Sequence, residues 1–252
     1  MTKLETCKYR YGLTGTLDGT KTHKLVLEGL FGTVNKVIST AELQNKKQLA
    51  DLKIYALILS YDNGSRQHCN GLNYQEEMDF LVAHEKRNKF IVNLCSKLQG
   101  NSLCLFQYVE KHGKNLHEQI LKKAEDKQVF YVYGGVDTDE REKIREITEK
   151  SDNAIIVASY GTFSTGINIR NLHNIIFASP SKSRVRNLQS IGRALRKSES
   201  KDSATLYDIA DDFTKGERRN YTLNHMVERV KTYSQENFNY EIIPINFRRK
   251  NE

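Results

Sequence analysis

The sequence predicts an α/β fold in which a parallel sheet is covered by helices on both faces. Short apolar runs recur along the chain, and most are continuously apolar rather than alternating, as expected of strands buried on both sides. Segments with helical periodicity lie between these runs, and such alternation is typical of parallel sheets with right-handed crossovers. The predicted strands are 54–60, 102–108, 129–133, 154–158, 174–178 and 205–210.

Three of the intervening segments carry apolar residues at a spacing that places them on one face of a helix. These stripes are Ile91, Leu94, Cys95 and Leu98; Leu116 and Ile120; and Val185, Leu188, Ile191 and Leu195. Asp137 and Glu140 have the spacing of a capping box, which predicts the start of a helix that contains Ile144 and Ile147.

The two ends of the chain depart from this alternation. Residues 1–33 hold one strand-like piece at 8–13, and a lone strand cannot bury its apolar face. We therefore expect this stretch to be the end of a preceding unit or an appendage to the main sheet. Near the other end, an amphipathic helix is followed by a strand-like piece at 240–247; the stripe of this helix is Leu223, Met226, Val227, Val230 and Tyr233.

Composition limits the class of protein. The 252 residues are 38% hydrophobic and include only 2 Pro, which excludes wholesale disorder and collagen-like repeats. No apolar run approaches the ~20 residues of a membrane span and no signal peptide is recognisable, so a soluble cytoplasmic protein is expected. The 4 Cys lack metal-ligand spacing, so reduced, mostly buried thiols and no metal site are predicted. The net charge of +8 permits a polyanionic partner.

The segment Gly15–Thr22 nearly matches the phosphate loop G-x4-G-K-[ST], but Thr20 stands where the second glycine belongs. That glycine lets backbone amides curl around a phosphate in a conformation that a side chain obstructs. The residues after it, HKLVLEGLFGTV, also lack the clear amphipathic helix whose N-terminus would hold the anion. We therefore give a working phosphate loop odds of about one in ten. An ordinary nucleotide-binding α/β protein that uses this loop stays as a distant alternative.

A second segment, 189–196, has the sequence Q-S-I-G-R-A-L-R, in which Arg193 and Arg196 share one face of a predicted helix. Rigid guanidinium donors suit the charge that develops on a transferring phosphoryl group. For an arbitrary R-x-x-R, a solvated basic helix face is the commoner explanation. Here the surroundings favour function, because residues 181–197 contain six basic residues and no acid.

A third segment, 159–168, is rich in small hydroxyl residues and glycine and follows a buried strand directly. Ligands bind at the carboxyl ends of strands in open α/β sheets, and such residues can offer amides and hydroxyls to phosphate oxygens. Taken alone, this segment is equally compatible with an ordinary strand-to-helix turn.

The order of these segments resembles the closing motifs of superfamily-two helicases, in which G-x-D/N is followed by a strand and by Q-x-x-G-R-x-x-R. Residues 14–16 are similar to the third motif of that family, 105–108 to the fourth and 131–141 to the segment after it. The resemblance covers nearly the whole chain, including YGLTGT, YQEE, KRNK, VASYGTFSTGI, NLH, IGRALRK and FNY. It is strongest to members that act in phage recombination and replication.

This resemblance implies a RecA-like helicase C-terminal domain of the P-loop NTPase type, with ATP as the nucleotide. The catalytic residues that it implies are Arg193 and Arg196, as arginine fingers, and Gln189, which positions γ-phosphate or water. The nucleotide-binding residues are Gly166, Asn168 and Gly192. The nucleic-acid-binding residues are Phe106, Gln107, Gly134, Ser159 and Thr165. The residues that couple hydrolysis to movement of the lobes are Thr14, Gly15 and Thr16.

A helicase of this family also needs a Walker A lysine and a DEAH-type acidic pair for Mg²⁺, and we recognise neither in the 252 residues. We therefore expect the C-terminal portion of an ATP-dependent helicase that acts on branched DNA or R-loops. Its partners would be DNA, RNA–DNA hybrids as a further candidate, and an N-terminal RecA-like lobe that holds Mg²⁺. The alternative is a non-catalytic nucleic-acid-binding lobe that needs a partner chain for ATP hydrolysis. The expected units are 1–33, the end of the first lobe; 34–75, the connection; 76–215, the second lobe; and 216–252, a C-terminal helix and tail.

Overall fold

The computed structural model describes residues 7–15, 17, 20–162, 169–197, 201–216 and 218–247. Its strands are β1 (Asp51–Ser60), β2 (Ser102–Phe106), β3 (Gln128–Val132), β4 (Ala154–Ser159), β5 (Asn174–Phe177), β6 (Ser203–Asp212) and β7 (Asn239–Asn246). Within the described residues they form one sheet in the order β3-β4-β2-β5-β6-β1-β7, and every neighbouring pair is parallel. The predicted parallel sheet is therefore confirmed.

The helices connect the strands and cover the sheet. They are α1 (Lys21–Phe31), α2 (Thr40–Asn45), α3 (Asn63–Cys69), α4 (Tyr74–Ala83), α5 (Glu85–Lys97), α6 (Lys114–Lys123), α7 (Thr138–Lys150), α8 (Arg184–Ala194) and α9 (Tyr221–Gln235). A π-helical turn, Val109–Gly113, precedes α6. The predicted stripes pack on both faces of the sheet: Ile91 and Ile120 join one apolar cluster, and Ile191 joins the other.

Each predicted strand in the middle of the chain coincides with an observed one, and the strand-like piece at 240–247 becomes β7. In the described sheet β7 is an edge strand beside β1, which explains why it tolerates Pro244. The strand predicted at 8–13 is wrong. Residues 8–13 lie outside any strand, and Leu13 is fully exposed. A short apolar alternation has nothing to pair with there, so it does not form a strand.

Two helix N-termini each differ from the prediction in one respect. Residues 21–31, which we expected not to form a clear helix, form α1; its N-cap is Thr20, whose hydroxyl accepts a hydrogen bond from the His23 amide at 3.3 Å. No residue of α1 is buried, so its own capping rather than packing defines it. Helix α7 begins after Asp137 as predicted, but the Asp137 side chain makes no capping hydrogen bond.

The sheet includes strands on both sides of the predicted 76–215 lobe. β1 pairs with β6 along ten residues, from Asp51↔Ser203 to Ser60↔Asp212, and β7 pairs with β1 on its other side. The boundaries at 76 and 215 stay a prediction, but the described sheet continues through them.

Candidate nucleotide and nucleic-acid interface

The parallel sheet brings the residues that follow β2, β3 and β4 to one edge, which we call the carboxyl edge. Gln107 follows β2, Gly134 lies just beyond β3, and Ser159 ends β4. These strands are neighbours in the order β3-β4-β2 and lie about 5 Å apart. Three of the five predicted nucleic-acid residues are therefore aligned along a single edge of the sheet.

Gln107 is exposed and joins this edge to helix α8. Its backbone N–H donates to Ser179 Oγ at 3.1 Å, which ties the end of β2 to the segment after β5. Its side-chain Oε1 accepts a hydrogen bond from Arg186 Nη1 at 3.0 Å. The Arg186 guanidinium also lies 5.7 Å from the ring centroid of Tyr160, a cation–π contact. Arg186 is thus held between the ends of β2 and β4.

A buried histidine, His112, contacts Ser179, the residue that accepts the hydrogen bond from the Gln107 amide. Asn88 donates through Nδ2 to the Val82 carbonyl at 2.8 Å, so its Oδ1 is the atom that accepts from His112 Nε2 at 3.2 Å. His112 Nδ1 is then the acceptor for the Ser179 hydroxyl, also at 3.2 Å. Burial, and secondarily the Arg87 charge, lower the pKa of His112 to about 3, so the imidazole is neutral.

Two of the predicted nucleic-acid residues have side chains that point into the protein. Phe106 is fully buried, and its ring stacks on Tyr131 with centroids 5.6 Å apart. Ser159 is 8% exposed, and its hydroxyl is 2.8 Å from Thr162 Oγ1. Contrary to expectation, the Phe106 side chain is not available to a nucleic acid in this structure. It acts as a core residue beneath Gln107.

In the segment after β3, Gly134 and Arg141 are joined by a hydrogen bond. Gly134 is exposed, and its carbonyl accepts a hydrogen bond from Arg141 Nη2 at 3.2 Å across the start of α7. A Cβ at Gly134 would meet no atom within 4 Å. The exposed backbone at this position is therefore open to a large ligand.

Of the predicted catalytic residues, Gln189 and Arg193 lie on α8, and Arg196 follows two residues after its end. Gln189 and Gly192 are exposed, and a Cβ at Gly192 would meet no atom within 4 Å. Arg193 is half-buried, and its pKa is lowered by burial and by the neighbouring Arg196 charge. Two neighbouring guanidinium groups suit an anionic ligand of high charge, as a triphosphate is. This side of α8 fits the nucleotide that the resemblance implies.

Helix α8 runs between the two sets of predicted site residues. It begins near the carboxyl edge, where Arg186 bonds to Gln107, and it ends near the start of β1, where the Ala50 amide donates to the Leu195 carbonyl at 2.7 Å. From Arg186 to Arg193 the helix rises about 10 Å. The nucleic-acid set and the arginine set are therefore at different places, joined by one rigid element.

Two buried arginines that sequence reasoning missed hold the segment before α8 from opposite faces of the sheet. Arg87 donates to Asp211 Oδ1 and to the Ala178 carbonyl, both at 2.8 Å. Arg229 donates to Asp208 Oδ2 at 2.7 Å and to the Ser181 carbonyl at 3.2 Å. The side chains of Asp208 and Asp211 lie on opposite faces because their positions in β6 differ by an odd number.

Several predicted residues remain without a described environment. Thr14 and Gly15 are exposed. Thr16, Thr165, Gly166 and Asn168 lie outside the described residues. Cys69, Cys95 and Cys104 are buried free thiols as expected, while Cys7 is exposed. Over the part of the chain that the structure describes, no group of three metal-ligating side chains occurs and no helix is long and apolar enough for a membrane span.

Comparison with known proteins identifies the family. The helicase conserved C-terminal domain matches residues 85–198, which include β2 to β5 and α8. The chain carries the C-terminal domain of a superfamily-two helicase. The ATP-dependent DNA helicase UvsW of Enterobacteria phage T4 is 37% identical over 256 residues, which cover 96% of this chain and 50% of that protein. The chain thus spans about half the length of the curated relative it matches.

Solved structures agree with this assignment. The crystal structure of T4 UvsW superimposes with a TM-score of 0.68 at 36% identity, covering 86% of this chain and 44% of the other. A fragment of a putative HsdR subunit of a type I restriction enzyme from Vibrio vulnificus YJ016 gives a TM-score of 0.66 at 13% identity, over 92% and 43% of the two chains. The second similarity concerns the fold alone. The predicted RecA-like helicase fold is confirmed.

Proposed function

We propose that this chain is the C-terminal part of an ATP-dependent DNA helicase or translocase of the UvsW type, which acts on branched DNA or R-loops in phage recombination and replication. The observation that carries the proposal is the 37% identity to T4 UvsW along 96% of the chain. The position of α8, between the carboxyl edge and the paired arginines, supports it independently of identity. Such an enzyme works in the cytoplasm of the host cell.

In this proposal the end of α8 faces the triphosphate of ATP. Arg193 and Arg196 neutralise charge on the γ-phosphate, and Gln189 positions that phosphate or the attacking water. Gly192 leaves space for the phosphate, because nothing lies within 4 Å of a Cβ there. Gly166 and Asn168 complete the nucleotide side. The hydrolysis itself also requires a phosphate loop and Mg²⁺ carboxylates, which we assign to an N-terminal RecA-like lobe.

The nucleic acid, DNA or an RNA–DNA hybrid, lies along the carboxyl edge. Gln107, the Gly134 backbone, Ser159 and Thr165 are the proposed contacts, and they meet sugar and phosphate rather than bases. The hydrogen bond from Arg186 to Gln107 joins this edge to α8. Movement of α8 toward ATP therefore displaces a nucleic-acid contact, which is the link a translocase needs.

The exposed apolar residues near the start of the described chain support a second lobe as partner. Tyr11 is 86%, Leu13 100% and Val37 95% exposed. Side chains of this size and exposure are suited to contact with another protein surface. Thr14, Gly15 and Thr16 lie in this region, and we propose that they couple ATP hydrolysis to movement between the lobes.

The test is ATP hydrolysis by the purified chain, alone and mixed with the separately produced N-terminal lobe of T4 UvsW. We expect no hydrolysis by the chain alone and DNA-stimulated hydrolysis by the mixture. Arg196→Ala should lower the rate of the mixture by about 10³-fold or more, since arginine fingers contribute that much. Arg145→Ala is the matched control, because this arginine of α7 pairs with Glu142 and Glu149 away from α8.

DNA-stimulated hydrolysis by the chain alone would contradict the need for a second lobe. A mixture that binds DNA and hydrolyses ATP at a rate that Arg196→Ala leaves unchanged would favour the alternative of a non-catalytic nucleic-acid-binding lobe that relies on its partner for hydrolysis. A chain that fails to bind DNA even at low salt would contradict both.

A further inference from the structure

A cavity of about 280 Å³ opens at the carboxyl edge, on the other side of Gln107 from β3 and β4. It lies between α3, which follows β1, and the turn that follows β6. The residues that line it are Asn63, Arg66, Gln67, Thr214, Lys215 and Gly216. Because β1 and β6 are neighbouring parallel strands, residues 130 or more positions apart in the chain meet in this α3–β6 cavity.

The lining has the chemistry of an anion site. It offers a guanidinium, an ammonium, two carboxamides and a hydroxyl, and no carboxylate is among the lining residues that the structure describes. Arg66 Nε and Thr214 Oγ1 are buried, and neither has a hydrogen-bond partner within the described residues. A buried polar atom without a partner costs about 1–3 kcal/mol, so such atoms are rare unless a ligand or water meets them. Each of these two groups can donate a hydrogen bond to an oxyanion.

The turn that carries Lys215 is built to present it. Gly216 has φ +65, a left-handed conformation that favours glycine, and Lys215 forms an antiparallel bridge with Arg218. Lys215, Arg218 and the adjacent Arg219 are all exposed. Positive charge therefore extends from the α3–β6 cavity outward over the surface.

Two described carboxylates near the cavity, Asp62 and Asp212, are already engaged. Asp62 accepts from the Ser65 amide at 2.9 Å and lies 3.5 Å from the Lys86 ammonium. Asp212 accepts from the Thr214 amide at 2.9 Å. Neither is among the lining residues, so an incoming anion meets cations first.

An adjoining cavity of about 250 Å³ shares Lys215 but differs in one respect. Glu77 is among its lining residues, and its buried carboxylate accepts hydrogen bonds from the Tyr221 and Thr222 amides at 2.9 and 2.8 Å. The amino end of α9 is therefore already neutralised by the protein's own acid. This leaves the α3–β6 cavity as the place where a donor-rich surface lacks an anion.

We propose that the α3–β6 cavity binds a backbone phosphate of the nucleic acid and extends its path along the carboxyl edge beyond Gln107. This inference rests on the proposed function, and it adds a contact on the side of the sheet formed by β6 and β1. Two to three strand spacings separate β2 from the cavity, about 10 to 14 Å. Arg66, Thr214 and Lys215 hold the phosphate, and none of them reads a base, so binding there is independent of sequence.

The experiment measures binding of a fluorescein-labelled oligothymidine by anisotropy, at salt concentrations from about 50 to 200 mM. Removing one cation that neutralises a phosphate of single-stranded DNA should reduce the slope of log K against log salt by about 0.7. For Arg66→Ala, and separately for Lys215→Ala, the loss of affinity relative to wild type should therefore be about 2.6-fold larger at 50 mM than at 200 mM. Lys122→Ala is the matched control, since this exposed lysine ends α6 toward the amino edge of the sheet.

The outcomes separate this inference from the proposed function. If wild type binds and Gln107→Ala weakens binding while Arg66→Ala and Lys215→Ala behave like Lys122→Ala, the cavity is not on the path and only the inference is overturned. If wild type does not bind the oligonucleotide at low salt, the proposed function fails first. If inorganic phosphate raises the melting temperature in wild type but not in Arg66→Ala, and DNA binding is equal in both, the cavity takes free phosphate and the inference is also overturned.

Arg66 is partly buried, so its variant is first checked by circular dichroism and thermal unfolding. Thr214→Val and Lys215→Ala keep the test independent of that variant, because Lys215 is exposed in a turn. The Thr214→Val change removes the hydroxyl without charge, so it should weaken binding without altering the salt slope.

Discussion

Replacing Arg229 with methionine should destabilise the protein strongly, because its guanidinium is buried and joins two elements of the fold. Its Nε donates to Asp208 Oδ2 at 2.7 Å, and its Nη1 donates to the Ser181 carbonyl at 3.2 Å. The side chains of Arg229 and Asp208 are 2% and 0% exposed. Burial acts to lower the pKa of Arg229, but the Asp208 carboxylate outweighs it and holds the pKa above its ordinary range.

The expected cost follows from the contacts. A charge-assisted hydrogen bond contributes about 1.5–3 kcal/mol and a neutral one about 1 kcal/mol. Removing one partner also leaves the Asp208 carboxylate buried without a counter-charge, with only the Tyr233 hydroxyl, at 2.7 Å, still donating to it. Together these give about 3–5 kcal/mol, the usual range for a broken buried ion pair. That is a large part of the ~5–15 kcal/mol that stabilises a typical domain.

The assay is equilibrium unfolding in urea, followed by circular dichroism. The double variant Arg229→Met/Asp208→Leu should recover most of the loss, because it leaves no buried charge. Lys231→Met is the control on the same helix, where an exposed pair with Glu228 predicts a change within about 0.5 kcal/mol. A cost below about 1 kcal/mol for the single variant, or no recovery in the double variant, would refute this reasoning.

Three further predictions concern other parts of the molecule. Burial lowers the pKa of His112 to about 3 from an ordinary 6.5, so as pH falls the unfolded state binds a proton at this histidine before the folded state does. The free energy of unfolding should therefore decline by about 1.4 kcal/mol per pH unit from pH 6.5 downward. Urea unfolding at several pH values should show this decline, and a less steep one in His112→Gln. Gly113→Ala should lower the melting temperature, because its Cβ would lie 2.4 Å from the Phe106 ring, whereas Gly134→Ala, with no atom within 4 Å, should not. In the native protein iodoacetamide should modify Cys7 alone of the 4 Cys, and all four after unfolding; native modification of a second thiol would contradict the burial described.

The centre of the chain was predictable because its signals are local. The continuous apolar runs in β2, β4 and β5 are fully buried, and the stripe that ends in Ile191 packs on the sheet as its spacing indicates. The spacing of apolar residues indicates which side chains are buried. Predictions made from it are therefore correct for strands and helices whose formation depends on burial. The failure at 8–13 has the same cause, because an apolar alternation there carries no information about whether a pairing strand exists.

The candidate site was predictable only in part, because several of its supports depend on contacts between distant residues. In the sequence, Arg87 and Arg229 look like surface residues of amphipathic helices. Their ion pairs, Arg87 with Asp211 and Arg229 with Asp208, form between residues that are distant in sequence and are seen only in the folded structure. Phe106 was expected at the surface because the motif contains it, yet the π-helical turn packs against its ring. An arginine within an otherwise apolar helical face is the signal that could have marked the first two.

The order of strands has a consequence for synthesis on the ribosome. β1 is made first, but its neighbours in the described sheet are β6 and β7, and Asp51 pairs with Ser203, 152 residues later. Until those strands emerge, β1 is an apolar segment with both edges open, and contacts so distant in sequence form slowly. A nascent chain stopped before residue 203 should therefore depend on chaperones and be cut readily by proteases at β1, while the β2–β5 portion can already pair with itself.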